Sequence, residues 1–149
     1  MPIRLRPMTD ADLDRVVELE CAIFPFPWHR QFFRVDCRRP GGLAIVAEDE
    51  EAVVGYAVAW LEADELHVAN IAVAPSGQRK GVGSTLLAAL IVHGRRHEAR
   101  TCYLEVRETN AEARQFYTGR GFIATGVRRG YYPGGEDAVI MERDIGPGS

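Results

Sequence analysis

The sequence predicts a mixed α/β (α+β) domain, and three observations support this. The 149-residue chain is long enough to bury the core of one domain. Apolar residues make up 46% and charged residues 26%, the balance of a globular protein. Stretches of strand-like and helical periodicity alternate in the order β α α β β β α β α β β. We therefore expect one domain over residues 1–149, with both hairpin and crossover connections.

The first segment predicts an edge strand followed by a capped helix. Ile3 and Leu5 alternate with arginines, as in a strand with one buried face. Thr9 and Asp12 have the spacing of a capping box at a helix start. Apolar residues then follow at helical spacing: Leu13, Val16, Val17, Cys21 and Phe24.

Two prolines end this helix and open an aromatic segment. Residues 24–28 read Phe-Pro-Phe-Pro-Trp, and each proline restricts the residue before it, so a stiff loop is expected. Residues 29–39 predict a short helix. Residues 43–48 and 52–61 predict two hairpin strands around an acidic turn, and Gly55 indicates a bulge in the second.

The middle of the chain predicts a strand, a loop, a long helix and a central strand. Residues 66–73 form an apolar run that ends before Pro75. The polar loop 76–83 contains glycines and leads into a helix of about four turns. Residues 101–106 are apolar on both faces, as expected of a central strand.

The last third predicts one helix and two strands. Asn110 is placed to cap a helix over 110–117. Strands are expected at 122–130 and 138–144, on either side of the loop 131–137.

The loop before the long helix has the features of an anion-binding site. Residues 78–83 read Gln-Arg-Lys-Gly-Val-Gly, and glycines let the backbone approach a ligand closely. Free amides and the dipole at a helix start favour a phosphate group. Lys80 precedes Gly81, which excludes a P-loop, and Leu86 stands where a dinucleotide motif needs a glycine. A phosphate ligand of another kind is indicated, with a solvated turn as the alternative.

Charge and cysteine content exclude several classes of protein. A net charge of −3 argues against a nucleic-acid binder. The apolar run around 86–92 is far shorter than the ~20 residues of a membrane span, and charged residues interrupt any signal peptide. The three cysteines show no metal-type spacing. We therefore expect a reduced, cytoplasmic protein without a metal or a membrane partner.

With these motifs, the chain resembles the GCN5-related N-acetyltransferase (GNAT) family. The family signature for acetyl-coenzyme A is Gln/Arg-x-x-Gly-x-Gly/Ala after a strand ending in Ala-Val-x-Pro, which residues 71–75 and 78–83 match. The second half and Phe26-Pro27-Trp28 are similar to the bacterial ribosomal-protein alanine N-acetyltransferases. The matching segments of that half are 70–73, 103–107, Asn110, 116–117, 121–122, 131–133 and 135–138.

This resemblance implies a mostly antiparallel, twisted sheet with one splayed parallel strand pair and flanking helices. It implies acetyl-CoA as cosubstrate and no metal. It assigns the pyrophosphate to backbone amides of residues 79–84 and the pantetheine to the strand at 71–73. The cofactor-binding residues so implied are Ile71, Ala72, Val73, Arg79, Lys80, Gly81, Val82, Gly83, Ser84 and Asn110.

The resemblance also implies that Glu105 is the general base and that Tyr117 lies near the cofactor sulfur. An α-amino group has a pKa of about 7.7–8.0, so a modest base suffices to deprotonate it. Partial burial of Glu105 in its strand is expected to raise its pKa. The alternatives are a structural ion pair with Arg107 or Arg128, a core aromatic role for Tyr117, and His67 as the base.

Four aromatic residues on two predicted loops, Phe26, Trp28, Tyr131 and Tyr132, are candidates for binding the acceptor peptide. If the loops face each other, they form a groove for an N-terminus; local packing is the alternative. The expected activity is direct acetyl transfer to a protein N-terminal amine, with N-terminal alanine of a ribosomal protein as the first candidate. The alternatives are acetylation of a small amine or lysine side chain, or a non-catalytic acyl-CoA sensor.

Overall fold

A computed structural model describes residues 2–78 and 80–147. Its strands form one seven-stranded sheet in the order β1-β2-β3-β4-β5-β7-β6. Every neighbouring pair is antiparallel except β4 and β5, so the predicted mixed fold is confirmed. The strands are β1 (Arg4–Pro7), β2 (Gly42–Asp49), β3 (Ala52–Glu62), β4 (Glu65–Val73), β5 (Thr101–Arg107), β6 (Ile123–Arg128) and β7 (Ala138–Asp144).

Helices cover both faces of the sheet, at the predicted places in the chain. They are α1 (Leu13–Ile23), α2 (Arg30–Val35), α3 (Val82–Arg96) and α4 (Ala111–Thr118). One core cluster contains the apolar side chains of α3 and receives those of α4 at its margin, whereas a second contains those of α1 and α2. Among the helices of the described residues, none is both long and apolar enough to cross a bilayer.

The parallel pair β4–β5 separates soon after it begins. The residues that pair are Glu65–His67 of β4 with Thr101–Tyr103 of β5. On its other side, β4 continues against β3 to Val73, with a register shift that leaves Ala69 without a partner in β3. Such a bulge bends a strand locally. The β5-facing edge of β4 is therefore open from residue 68 onwards, as expected of a splayed pair.

Gly55 lets the start of α3 approach the sheet. The predicted bulge lies beside it, because Val54 has no partner in the β2–β3 ladder. A Cβ atom at Gly55 would lie 2.9 Å from a side-chain carbon of Val82 and 2.9 Å from the carbonyl oxygen of Ala72. Any larger residue would push α3 away from β3, so this glycine helps to position the loop that precedes α3.

The predicted capping residues connect β1 to the first helix. The Asp12 carboxylate accepts a hydrogen bond from the Thr9 amide at 2.8 Å, as the capping box requires. The same carboxylate receives two hydrogen bonds from Arg6, at 2.7 and 2.8 Å. Asp12 is buried, and the capping box opens a short 3₁₀ turn, Asp10–Asp12, rather than α1 itself.

The buried face of α1 differs from its prediction around Cys21, and it also includes Leu19. Cys21 is exposed, so its assignment to the apolar stripe is wrong. Glu20 occupies the buried position instead, four residues after Val16 and only 2% exposed. A turn of helix brings residues i and i+4 to the same face, which explains the placement of Glu20 beside Val16.

Candidate active site

A cavity of about 290 Å³ lies where β4 and β5 separate. Its walls come from α1 and the aromatic loop (20–28), β4 (68–71), β5 (104–107), and the segment from Asn110 through α4. Seven of the residues predicted for the site line this cavity: Phe26, Trp28, Ile71, Glu105, Asn110, Tyr117 and Tyr132. The fold thus brings together residues from both halves of the chain.

Glu105 is a buried carboxylate held by two neighbours. Its side chain is 8% exposed, with Oε1 2.7 Å from His67 Nε2 and Oε2 3.4 Å from Arg128 Nε. Burial raises the pKa of Glu105, but hydrogen bonding and charge from His67 and Arg128 outweigh it and lower the pKa below its ordinary value. The expectation of a raised pKa is therefore wrong, and the ion pair with Arg128 exists.

His67 lies behind Glu105 rather than on the cavity wall. Its ring stacks on Tyr103 at 4.5 Å and meets the edge of Trp60 at 5.6 Å. Its Nδ1 is 3.8 Å from a carboxylate oxygen of Glu62. This placement suits a residue that orients Glu105, and it does not support His67 as the direct base.

Tyr117 presents a protonated phenol to the cavity. Its ring packs edge-on against Phe116 at 5.1 Å and Phe122 at 5.5 Å. Burial raises the pKa of Tyr117 well above that of a free tyrosine, so the hydroxyl keeps its proton at neutral pH. In the described part of the chain, no residue accepts a hydrogen bond from this hydroxyl, unlike a core tyrosine with a backbone partner.

The start of α3 has the backbone geometry that a backbone anion site requires. Gly81 has φ 74° and precedes the helix, and the first intrahelical bond joins the Thr85 amide to the Gly81 carbonyl at 2.9 Å. The amides of Val82, Gly83 and Ser84 donate to no acceptor among residues 2–78 and 80–147. A Cβ on Gly81 would meet nothing within 4 Å, which leaves space for a ligand. These features fit the pyrophosphate of a coenzyme A thioester.

Side chains of the same loop are engaged with the protein. Lys80 Nζ lies 2.8 Å from Asp49 Oδ2 at the end of β2. The hydroxyl of Ser84 accepts a hydrogen bond from Arg120 Nε at 2.9 Å, and the Arg120 guanidinium lies 3.8 Å from the centre of the Phe116 ring. Arg120 was not found by the sequence reasoning. Arg79, predicted for the same loop, lies outside the described residues.

The remaining predicted cofactor residues contribute differently. The Val82 side chain is 1% exposed and packs in the core, so only its backbone is available to a ligand. Ala72 is 3% exposed and belongs to the core cluster of α1, on the opposite side of β4 from α3. Val73 approaches the start of α3, since a Cβ on Gly83 would lie 3.7 Å from its side chain. Asn110 lines the cavity while its Oδ1 caps α4 by accepting from the Ala113 amide.

The two predicted acceptor loops face each other across the mouth of the cavity. The Arg107 guanidinium carbon lies 6.0 Å from the centre of the Phe26 ring and 5.7 Å from that of Tyr132. Arg107 is fixed by an ion pair with Glu136 at 2.9 Å, in the loop that carries Tyr132. Phe26 and Tyr132 therefore lie on two loops that meet around Arg107, as the expectation of facing loops requires, and a peptide groove between them stays a prediction.

The other two aromatic candidates lie at the margins of this groove. Trp28 lines the cavity but packs mainly on Phe32 at 4.2 Å and Phe33 at 5.4 Å. Tyr131 does not line the cavity; it is 48% exposed and packs edge-on against Tyr132 at 5.0 Å. Local packing is thus a large part of the role of Trp28 and Tyr131.

The sequence reasoning missed a polar cluster in the cavity wall. Glu20 accepts hydrogen bonds from the Tyr56 hydroxyl at 2.6 Å and from Asn70 Nδ2 at 2.8 Å. It also accepts from the Trp28 amide at 3.0 Å. The available signal was a carboxylate four residues after Val16, on the apolar stripe of a helix. Elsewhere, no three His, Cys, Asp or Glu side chains of the described ranges are grouped to hold a metal ion.

Comparison with known proteins agrees with this architecture. Residues 13–122 match the sequence model of the Acetyltransferase (GNAT) family. The [ribosomal protein bS18]-alanine N-acetyltransferase of Salmonella typhimurium is 37% identical over 142 residues, covering 93% of this chain and 95% of the relative. The N-alpha-acetyltransferase RimI of Mycobacterium tuberculosis is 34% identical over 152 residues, covering 97% and 94%.

A solved structure extends the similarity to the fold. The crystal structure of the ribosomal-protein-S18-alanine N-acetyltransferase from Escherichia coli superimposes with a TM-score of 0.88 at 31% identity, covering 99% of this chain and 97% of that one. The splayed strands, the glycine-containing helix start and the family match point to one conclusion. The chain belongs to the GNAT family of N-acetyltransferases.

Proposed function

We propose that this chain transfers the acetyl group of acetyl-CoA to the α-amino group at a protein N-terminus. The observation that carries the proposal is the cavity between β4 and β5, in which the carboxylate of Glu105 and the phenol of Tyr117 line one space. Open backbone amides at the start of α3 and the unpaired edge of β4 supply donors for a coenzyme A chain. When bound, acetyl-CoA supplies an acetyl group activated as a thioester.

Glu105 accepts the proton of the acceptor amine, directly or through a water molecule. Its lowered pKa keeps it ionised throughout the neutral range, so the carboxylate is in the unprotonated form that a base requires. The hydrogen bond from His67 fixes the orientation of the carboxylate, while Arg128 balances part of its charge. The uncharged amine then attacks the acetyl carbonyl.

Tyr117 donates a proton to the departing thiolate. The raised pKa keeps the phenol protonated at neutral pH, and its hydroxyl is not committed to another residue of the described chain. We propose direct transfer rather than a route through an acyl-cysteine. Cys102 lies on the face of β5 opposite Glu105 and is fully buried. Burial raises the pKa of Cys102 to about 12, which leaves little thiolate to act as a nucleophile.

The acceptor we propose is the N-terminal alanine of ribosomal protein bS18. Relatives that match nearly the whole chain, from Salmonella typhimurium and Escherichia coli, are ribosomal protein bS18-alanine N-acetyltransferases. The mouth of the cavity supports a peptide acceptor, because Phe26 and Tyr132 flank it on two separate loops. Such aromatic side chains offer apolar surfaces on which an extended chain end can pack.

Peptide acetylation tests this proposal. The purified protein, acetyl-CoA and a lysine-free peptide beginning with alanine are expected to give one acetyl group per peptide, located on the α-amine by mass spectrometry. The same peptide with a blocked N-terminus should not react. Faster transfer to spermidine than to the alanine peptide would overturn the protein substrate. N-terminal proteomics of the source cell, with and without this protein, then identifies whether bS18 is the target.

A further inference from the structure

Glu20 places a carboxylate in the cavity wall that no cation among residues 2–78 and 80–147 balances. Its side chain is 2% exposed and lines the cavity. In the described part of the chain, Glu20 forms no ion pair with any Lys, Arg or His side chain. A buried charge without a counter-ion is unfavourable, so a fold that keeps one beside a cavity indicates a cationic ligand.

The hydrogen bonds of Glu20 leave one acceptor position open. Oε1 accepts from Tyr56 at 2.6 Å and from Asn70 at 2.8 Å. Oε2 accepts only from the Trp28 amide, at 3.0 Å. A carboxylate offers about four acceptor positions, two on each oxygen. One position on Oε2 is therefore not filled by any donor of the described residues, and Glu20 is part of the cavity wall.

The other charged side chains of the cavity already have partners. Glu105 is hydrogen-bonded to His67 and lies 3.4 Å from Arg128. Arg107, the cation in the cavity wall, is paired with Glu136. The unbalanced charge in this space is thus that of Glu20, on the α1 side of the cavity.

We infer that Glu20 binds the α-ammonium group of the acceptor, which donates a hydrogen bond to Oε2. An N-terminal amine has a pKa of about 7.7–8.0 and is therefore mostly cationic at neutral pH. Glu20 on α1 and Glu105 on β5 then have different roles. Glu20 binds the ammonium group, and Glu105 accepts its proton. The inference rests on the proposed function and adds the residue that selects a cationic amine.

Two titratable groups that face Glu20 keep their charge state over the range in which the amine titrates. Tyr56 of β3 and Cys37, in the turn after α2, face the carboxylate. Burial, with the charges of Asp36 and Glu20, raises the pKa of Cys37 to about 12. Burial, with the charge of Glu20, raises the pKa of Tyr56 above its ordinary value. Asn70 of β4 and the Trp28 amide do not titrate. Cys21 is exposed on α1. It is present in the wild type and in both variants described below, so it does not distinguish them.

Steady-state kinetics of Glu20→Gln with the alanine peptide test the inference. At about pH 6.5, KM for the peptide is expected to rise by about 10- to 100-fold, the effect of one hydrogen bond to a charged group. At about pH 9, where the amine is mostly uncharged, the ratio of mutant to wild-type KM should fall towards one. KM for acetyl-CoA should stay the same at both pH values.

Tyr56→Phe is the matched control, because it removes a donor of the same cluster and keeps the carboxylate. Its ratio of peptide KM to the wild-type value is expected to be constant across pH. If Glu20→Gln also gives a pH-independent ratio, or no change in KM, Glu20 is a structural residue and the inference is overturned. Wild-type enzyme that acetylates no α-amine would instead refute the proposed function.

If Glu20→Gln does not fold, a binding measurement on wild-type protein decides. Calorimetry at about pH 6.5 compares the alanine peptide with its propionyl analogue, which has the same shape and lacks the amine. The alanine peptide is expected to bind more tightly, with the preference falling at higher pH. Equal affinity for the two peptides at about pH 6.5 would overturn the inference.

Discussion

At Glu105, two neighbouring side chains decide the protonation state against the effect of burial. The pKa is lowered, so the carboxylate is ionised well below neutral pH. Glu105→Gln keeps the shape and removes the proton acceptor, and kcat should fall by about 10²–10⁴-fold. The acid limb of the kcat/KM profile should stay at the pKa of the peptide amine, because Glu105 is already deprotonated there. Rates over a pH series for both enzymes check this.

Binding of acetyl-CoA is the control for this substitution, and calorimetry should give the same Kd for the two proteins. A near wild-type rate in Glu105→Gln would make Glu105 a structural member of the pair with Arg128. His67 would then be the next residue to replace, since it is 2.7 Å from the carboxylate.

Replacement of Tyr117 distinguishes an effect on the leaving group from an effect on the acceptor. Tyr117→Phe removes one hydroxyl that has no partner in the described chain, so the melting temperature should not change. Loss of the proton donor should slow single-turnover transfer by about 10²-fold or more, equally for every peptide acceptor. A slowdown confined to one peptide would show that the hydroxyl contacts the acceptor instead.

Single residues show where sequence reasoning reaches its limit. The motif around Glu105 and Tyr117 placed both on the cavity, yet the direction of the Glu105 pKa depended on His67 and Arg128, which come from other strands. Glu20 and Cys21 are adjacent, and a shift of one position on α1 exchanges a buried carboxylate for an exposed thiol. Partners distant in the chain cannot be assigned from helical spacing alone.

The helix start at Gly81 offers a test of the anion loop with a matched control. Gly81 and Gly130 both have positive φ, 74° and 60°, and a Cβ on either would meet nothing within 4 Å. Alanine at either site should lower the free energy of unfolding by about 1–2 kcal/mol through backbone strain. Only Gly81→Ala should weaken binding of acetyl-CoA, measured by calorimetry. An unchanged Kd for Gly81→Ala would refute the loop assignment.

Gly83 is a poorer site for this test. A Cβ there would lie 3.2 Å from Phe116, so a larger residue would disturb α4 as well as the ligand. Reduced affinity of Gly83→Val would therefore not separate the loss of a binding site from a displaced helix.

The connection between β1 and α1 makes the fold sensitive to acid. The hydrogen bonds from Arg6 lower the pKa of Asp12, although burial opposes them. A lowered folded pKa adds stability above the unfolded value of about 3.9, and this is lost as pH falls through the folded value. Asp12→Asn should lower the free energy of unfolding by about 1–3 kcal/mol at neutral pH.

Urea unfolding of both proteins checks this effect. The difference between Asp12→Asn and wild type should shrink at about pH 3, because the carboxyl of unfolded wild-type protein is then mostly protonated, which favours its unfolding. An equal difference at both pH values would mean that the pair with Arg6 contributes nothing through its charge.

Secondary elements were largely predictable because periodicity, caps and prolines act locally. The helices and strands lie within a few residues of their predicted limits, and Asn110 caps α4 as expected. The two aromatic segments were predicted as loops, but their facing arrangement involves Arg107 of β5. Arg107 is paired with Glu136 of one loop and lies near Phe26 of the other. Such long-range contacts leave no periodic signal.

For the molecule as a whole, acetyl-CoA should hydrogen-bond to the sheet edge that no strand occupies. The edge of β4 from residue 68 to 73 lacks a partner on the β5 side. Hydrogen exchange of amides on that edge should slow when acetyl-CoA binds, while amides of β6 and β7 should change little. The measurement is exchange followed by mass spectrometry, with desulfo-CoA as a second ligand. Equal protection across the sheet would indicate general stabilisation instead.

The open edge of β4 also bears on how the protein avoids self-association. An unpaired strand edge is a template on which another chain can add a strand and begin to aggregate. Here residues 68–71 of that edge line a cavity whose other walls come from α1, the aromatic loop, β5 and α4. A strand of a second folded copy would have to displace these walls before it could pair with the edge. Elements of the same chain therefore shield this strand edge from pairing with copies of the protein.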